Sequence, residues 1–239
     1  DRLLLIFVCG ALLLIPYFRR QFRIEWFVFA QSATLLLSAL VAYWLLRGRR
    51  RRRWSFRWRP PLLWLTLRES APYALIVFLM TVYTRIDGVM IERLHPRGLL
   101  EADVYAAAYR LLDASNMLCF LFAGLLFPMF PRLLGKGAPV APLLRLGFQS
   151  LWAGAAALAA ATIVFRVPIM EALYFDADAY SGQLLGWLMT TFLAASGAYV
   201  FGTLLGAAGV LRAMNAVALA GVVLNIALNW RLIPPYGAL

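Results

Sequence analysis

Long runs of apolar residues constrain this chain more than any other feature. A transmembrane α-helix needs about 20 consecutive apolar residues, and seven stretches of the sequence approach or exceed that length. They are Leu3–Phe18, Trp26–Leu46, Ala71–Ile91, Val104–Phe130, Leu143–Phe165, Gln183–Leu205 and Ala213–Pro234. Hydrophobic residues make up 63% of the sequence, whereas about 45–50% is usual for soluble domains. The sequence therefore predicts an all-α, polytopic transmembrane helix bundle.

Basic residues are distributed unequally between the two sides of this bundle. The side that contains the 47–69 connection carries 13 basic residues, and the opposite side carries seven. By the positive-inside rule, the 47–69 connection is expected to be cytoplasmic and the Arg166–Gly182 connection external. The arginine run at 49–53 adjoins a membrane span, which favours a topology signal accompanied by interfacial tryptophans; as a binding partner, anionic lipid headgroups are favoured over nucleic acid. We therefore expect membrane lipids, and no nucleic acid, among the partners.

Four charged residues interrupt the third and fourth predicted spans. Arg85 and Asp87 lie in the third span, and Arg110 and Asp113 lie in the fourth. A charge at the centre of a transmembrane helix costs about 2.5–3.5 kcal/mol on the insertion scale, so each of these side chains should face a partner or a watery cavity. This pair of spans is the first candidate for a functional site.

A hairpin of the two spans predicts which charges meet. Residues equally far from its turn lie at the same depth, which places Asp87 level with Arg110 and Arg85 level with Asp113. The spacing of three puts Asn116 on the same helix face as Arg110 and Asp113. Two interpretations stay open: the charges form structural ion pairs, or they line a polar path for a substrate.

Motifs for catalysis and for metal binding are nearly absent. The sequence has a single histidine, His95, and its two cysteines, Cys9 and Cys119, lie in apolar spans without neighbouring ligands. Structural zinc needs four such ligands at close quarters. We therefore expect no metal site, no cofactor and no enzymatic activity.

Four motifs carry a resemblance to a known family. They are TRIDGVMI from Thr84, VYAAAYRLLDA from Val104, LFPMFPRL from Leu126, and the final LNIALNWRLIPPYGAL, which contains Asn225 and Asn229. In their order and spacing the chain resembles the polysaccharide-exporter and flippase family, which is related to the multidrug and toxin extrusion transporters and to the lipid II flippase.

The resemblance implies a domain organisation. It places these seven spans within a larger fold of two lobes joined by a cytoplasmic linker. Residues 1–48 would supply the last two spans of the N-terminal lobe, 49–69 the arginine-rich linker, and 70–239 the first five spans of the C-terminal lobe. On this mapping the sequence is a fragment of a longer protein, which we expect to be a monomer.

The resemblance also implies a function. The expected activity is translocation of a lipid-linked oligosaccharide or polysaccharide precursor across the cell inner membrane by alternating access, with H⁺ or Na⁺ as a coupling partner. The expected substrate-binding residues are Arg85, Asp87, Arg110, Asp113, Asn116, Asn225 and Asn229. For the asparagines, hydrogen bonds between helices are the alternative role.

Two other functions stay open at this point. The first is a cation-coupled multidrug exporter on the same fold, in which Asp87 and Asp113 would bind protons or sodium. The second is a membrane enzyme of envelope glycan synthesis. Such an enzyme would be expected to carry catalytic residues in a large external loop, and the longest external connection, Arg166–Gly182, is short.

Overall fold

We describe the protein from a computed structural model, which covers residues 24–49, 59–175 and 177–238. The chain divides into two compact units, Asp1–Arg59 and Pro60–Leu239. The predicted first span, Leu3–Phe18, and residues 50–53 of the arginine run lie outside the described residues.

The described part of the first unit is one helix. α1 spans Ile24–Arg49 and contains the predicted second span, Trp26–Leu46. Its strongly apolar stretch is Gln31–Leu45.

The second unit consists of helices throughout its described length. They are α2 (Pro60–Leu94), α3 (Gly98–Leu126), α4 (Met129–Gly135), α5 (Ala141–Val164), α6 (Arg166–Leu173), α7 (Ala179–Ala207) and α8 (Leu211–Tyr236). Five segments are long and apolar enough to cross a membrane: α2, α3 together with α4, α5, α7 and α8. The predicted class, a polytopic all-α membrane bundle, is confirmed.

Several helix bounds differ from the predicted spans. α2 begins at Pro60 rather than Ala71, so residues 60–69 of the predicted linker are helical. Proline is well tolerated in the first turn of a helix because the N–H that it lacks has no partner there. Pro128 separates α3 from α4, since proline interrupts the backbone hydrogen bonds of a helix. The predicted external connection Arg166–Gly182 contains α6 and the first turn of α7.

The central core is formed by α3, α5 and α7, which we call the trio. Both α3 and α5 pack on α7. The core residues with the largest fully buried side chains are Phe130, Phe192, Met170, Leu184, Leu185 and Met189. Small residues let the helices approach: a Cβ at Gly197 would come within 2.9 Å of the Phe148 ring. Close packing of this kind is the main force between helices in lipid.

The helices α2 and α8 pack on each other and form a second group, which we call the pair. Asn215 contacts Pro72, and Asn229 contacts Asp87, so the two helices run parallel. The pair has a much smaller apolar core, built from Met90, Ile91 and Ile233.

A hairpin between α2 and α3 joins the pair to the trio. The turn occupies residues 95–97, between the end of α2 at Leu94 and the start of α3 at Gly98, as the sequence predicts. Gly98 is required there because a Cβ would collide with the backbone carbonyl of Glu92. The hairpin therefore brings Arg85 and Asp87 of α2 into contact with α3; we call this contact between α2 and α3 the seam.

Candidate functional site

Asp87 on α2 is the centre of a polar cluster. Its Oδ1 accepts a hydrogen bond of 2.7 Å from Nδ2 of Asn229 on α8. Its Oδ2 accepts one of 3.2 Å from the hydroxyl of Tyr105 on α3. Asn229 Nδ2 also lies 3.3 Å from Oδ1 of Asn225, one turn earlier on α8. One carboxylate thus connects three helices, which satisfies its need for partners inside an apolar bundle.

Arg85, two residues before Asp87 on α2, forms an ion pair with Asp113 of α3. Arg85 Nη2 donates a hydrogen bond of 3.0 Å to Asp113 Oδ2. The guanidinium carbon lies 5.6 Å from the centre of the Tyr109 ring, within the range of a cation–π contact. Tyr109 in turn lies 5.3 Å from Tyr105, measured between ring centres. Aromatic contacts therefore link the ion pair to the Asp87 cluster.

Both side chains of the ion pair are partly exposed at the surface of the bundle. The side chain of Arg85 is 64% exposed, and that of Asp113 is 42% exposed. The predicted level pairing of these two residues is confirmed, because an antiparallel hairpin with a short turn fixes their relative depth.

A cavity of about 390 Å³ lies beside Asp87, where the pair meets the trio. Its polar lining includes Asp87, Tyr105 and Asn229, and Trp187 of α7 also lines it. Cavities of roughly 300–1,000 Å³ with a few converging polar groups are typical of ligand sites. Asp87 lies seven residues before the end of α2, or about 10 Å along the helix axis.

The predicted contact between Asp87 and Arg110 is wrong. Asp87 is bonded instead to Tyr105 and Asn229. Arg110 is exposed, and it makes no hydrogen bond or ion pair within the described residues. Equal distance from the turn fixes depth but not direction around the helix axis, and Tyr105 rather than Arg110 is the α3 residue that points at Asp87.

Asn116 is half-buried on α3, and its Oδ1 atom is buried without a hydrogen-bond partner in the described part of the chain. Asn215 of α8 donates from Nδ2 to the Pro72 carbonyl over 2.9 Å, while its own Oδ1 is likewise unpartnered there. Of the predicted asparagines, Asn225 and Asn229 join Asp87, and Asn116 does not contact this cluster.

Sequence reasoning missed the aromatic residues of the site. Tyr105, Tyr109 and Asp113 follow one another at intervals of four residues, so all three lie on one face of α3. That spacing was a usable signal. No sequence pattern brings Trp187 to the cavity, because its place depends on how α7 packs on α3.

Oxygen atoms of Asp87 and Asn225 lie around the Asn229 amide and are the groups here best suited to a hard cation. Within residues 24–49, 59–175 and 177–238, no three His, Cys, Asp or Glu side chains form a group that could hold a metal ion.

Comparison with known proteins identifies the family. No curated protein and no solved structure matches the chain. The sequence model of a family described as "Polysaccharide biosynthesis protein" matches residues 3–134. This range contains the α2–α3 hairpin and three of the four motifs, and the resemblance to the polysaccharide flippase family is confirmed. Because the match covers more than half of the 239 residues, the chain belongs to the polysaccharide biosynthesis protein family.

Proposed function

We propose that this protein is a transporter that moves a lipid-linked oligosaccharide or polysaccharide precursor across the cytoplasmic membrane by alternating access. Membership of a polysaccharide biosynthesis family and five apolar segments long enough to span a membrane support this proposal. We propose no enzymatic step, because the site consists of fixed charges, amides and aromatic rings.

The observation that carries the proposal is that the Arg85 side chain is both held in place and exposed. Its guanidinium is held by Asp113 and by the Tyr109 ring, yet more than half of the side chain is exposed. An anionic headgroup can therefore reach the guanidinium without unfolding its surroundings. Arginine binds phosphate oxygens through two parallel hydrogen bonds, and a phosphate that contacts Arg85 would take the place of Asp113.

Arg110 provides a second cation on α3. Because an arginine without a partner is costly in lipid, it is expected to face a polar path rather than acyl chains. Together, Arg85 and Arg110 would attract the phosphate groups of the substrate, and Asp113 would limit how tightly Arg85 holds them. The amides of Asn116, Asn225 and Asn229 would offer hydrogen bonds to the sugars.

The test uses the complete protein in cells whose envelope glycan depends on it. Arg85→Ala and Arg110→Ala should insert and fold, yet the lipid-linked precursor should accumulate on the cytoplasmic leaflet. Arg85→Lys keeps the charge but loses the planar two-bond contact, so partial export is expected. The measurement is the amount of precursor in each leaflet, normalised to the amount of transporter.

Arg145→Ala is the matched control, because Arg145 is an exposed arginine in the first turns of α5, outside the hairpin. It should export at the wild-type level. Wild-type export from well-expressed Arg85→Ala and Arg110→Ala proteins would refute a cationic substrate path.

A cation-coupled exporter is the second candidate, and the Asp87 cluster favours it. Asp87 and Asn229 line the cavity, and the oxygen of Asn225 contacts the Asn229 amide beside it. If this cluster couples an ion to drug export, Asp87→Asn should abolish proton or sodium flux stimulated by drugs in proteoliposomes, and lipid-linked saccharides should have no effect on that flux. Flux stimulated by a lipid-linked saccharide would instead favour the first candidate with ion coupling.

A further inference from the structure

Glu101, in the first turn of α3, is a buried carboxylate outside the predicted site. Only 7% of its surface is exposed. Its Oε2 accepts a hydrogen bond from the hydroxyl of Tyr180 in the first turn of α7, and the Arg97 guanidinium lies 3.6 Å from Oε1. A buried charge must be satisfied by such partners. Glu101 therefore ties the start of α3 to the start of α7.

The same carboxylate also holds the segment that follows α8. Glu101 Oε2 accepts a hydrogen bond of 3.4 Å from the backbone N–H of Ala238. This contact requires the turn at Gly237, whose φ is +69°. A residue with a Cβ would be strained at this φ, and its Cβ would lie 3.1 Å from Glu101 Oε2. We call the two residues Gly237 and Ala238 the strap.

The strap is part of the wall of the cavity beside Asp87. Tyr236, Gly237 and Ala238 all line it, and the strap is anchored to the trio through Glu101 although it continues from α8 of the pair. The apolar core that joins α8 to α2 is small. The strap itself brings one apolar side chain, Ala238, which packs against the residues of both cores, and Ala238 makes one hydrogen bond of 3.4 Å to Glu101. A segment of two small residues held in this way can open locally at low cost.

We propose that Glu101 is a latch that holds the strap across the cavity, and that release of the strap opens the cavity to water at this end of the bundle. Tyr180 is the second half of the latch, because it fixes the orientation of the Glu101 carboxylate. This inference rests on the proposed function in one respect: the proposed function gives the cavity a role in transport. The opening itself is independent of any substrate.

The test measures access of a thiol reagent to the cavity wall. Ile91 lines the cavity and is 3% exposed, so Ile91→Cys is the reporter, placed in a complete protein that carries Cys9→Ser and Cys119→Ala. The reagent is a membrane-impermeant methanethiosulfonate, added to right-side-out and to inverted vesicles. We expect Tyr180→Phe and Glu101→Ala to raise the labelling rate at least several-fold, and from one side only.

Two controls distinguish release of the strap from a general loss of packing in the protein. Tyr174→Phe also removes one tyrosine hydroxyl, which donates from the connection between α6 and α7 to the Ala107 carbonyl of α3, and it should leave labelling of Ile91→Cys unchanged. Ala155→Cys is a second reporter, 4% exposed in the trio core, and its labelling should stay slow in every variant.

The outcomes are distinct. An unchanged rate at Ile91→Cys in both Tyr180→Phe and Glu101→Ala would overturn the proposal, as would an equal rise at Ala155→Cys. One-sided labelling that increases in the latch variants supports the proposal whether or not those variants transport saccharide. Failure of the latch is therefore distinguishable from failure of the proposed function.

Discussion

The trio and the pair are stabilised by different kinds of contact. The apolar core around the trio contains large buried side chains such as Phe192 and Met189 of α7 and Phe130 of the adjoining α4. The pair has few buried apolar residues, and it is joined to α3 by Asp87 and Arg85. In lipid, apolar surfaces gain little from leaving the solvent, so tight packing and polar contacts provide most of the specificity between helices.

This difference indicates how the site can work. Interdigitated side chains resist sliding, because close-packed interiors do not deform continuously. Hydrogen bonds and ion pairs can exchange one partner for another, such as a water, an ion or a phosphate. The trio is therefore suited to be the fixed frame, and the seam between α2 and α3 is the place where contacts can change during a transport cycle.

The largest effect is expected from the trio core. Phe192 is 1% exposed, so Phe192→Ala should lower the free energy of unfolding by about 3–5 kcal/mol, from lost contacts and the cavity that remains. Phe78 is 63% exposed on α2, and Phe78→Ala is the matched control with a much smaller effect. Thermal unfolding of the purified proteins measures both. Similar losses for the two variants would contradict the contrast between trio and pair.

An intermediate loss of unfolding free energy is expected from changes in the Asp87 cluster. Asp87→Ala leaves the Tyr105 hydroxyl and the Asn229 amide without their partner, which should cost about 1–3 kcal/mol. Asp103→Ala is its control, since Asp103 is exposed on α3 and makes no hydrogen bond or ion pair in the described segments. If denaturation midpoints show no difference between these variants, the polar cluster does not hold the pair in place.

Much of the fold could be predicted from the sequence, because local sequence features determine where the helices and the hairpin turn lie. The length of the apolar runs predicts the five spans of the second unit, and the hairpin turn follows from the break between Leu94 and Gly98. The start of α2 could not be placed, because the prolines at 60 and 61 are compatible with both a loop and a first helical turn.

The site was predictable only in part. The depth of Arg85 and Asp113 follows from the distance of each residue from the turn, and the ion pair is present. The direction of Arg110 around α3 depends on how that helix packs, so its contact with Asp87 could not be derived. The arrangement of Glu101, Tyr180 and Ala238 joins residues distant in sequence, and no local pattern indicates it. The assignment of lobes and linker stays a prediction.

The smallest effect on the free energy of unfolding is expected at the ion pair itself. This measurement is the sharpest test of the contrast between the trio and the seam. On the proposed polar path, water reaches the side chains of Arg85 and Asp113, which are 64% and 42% exposed, so their interaction should contribute about 1 kcal/mol or less to stability. Arg85→Asp and Asp113→Arg should each be destabilising, since each places like charges side by side. Their combination should recover part of the loss, and a double-mutant cycle on unfolding free energies gives the coupling. Additive losses would show that the two residues do not interact. A coupling of several kcal/mol would mean that the seam is as rigid as the trio, and a phosphate could not then displace Asp113 from Arg85.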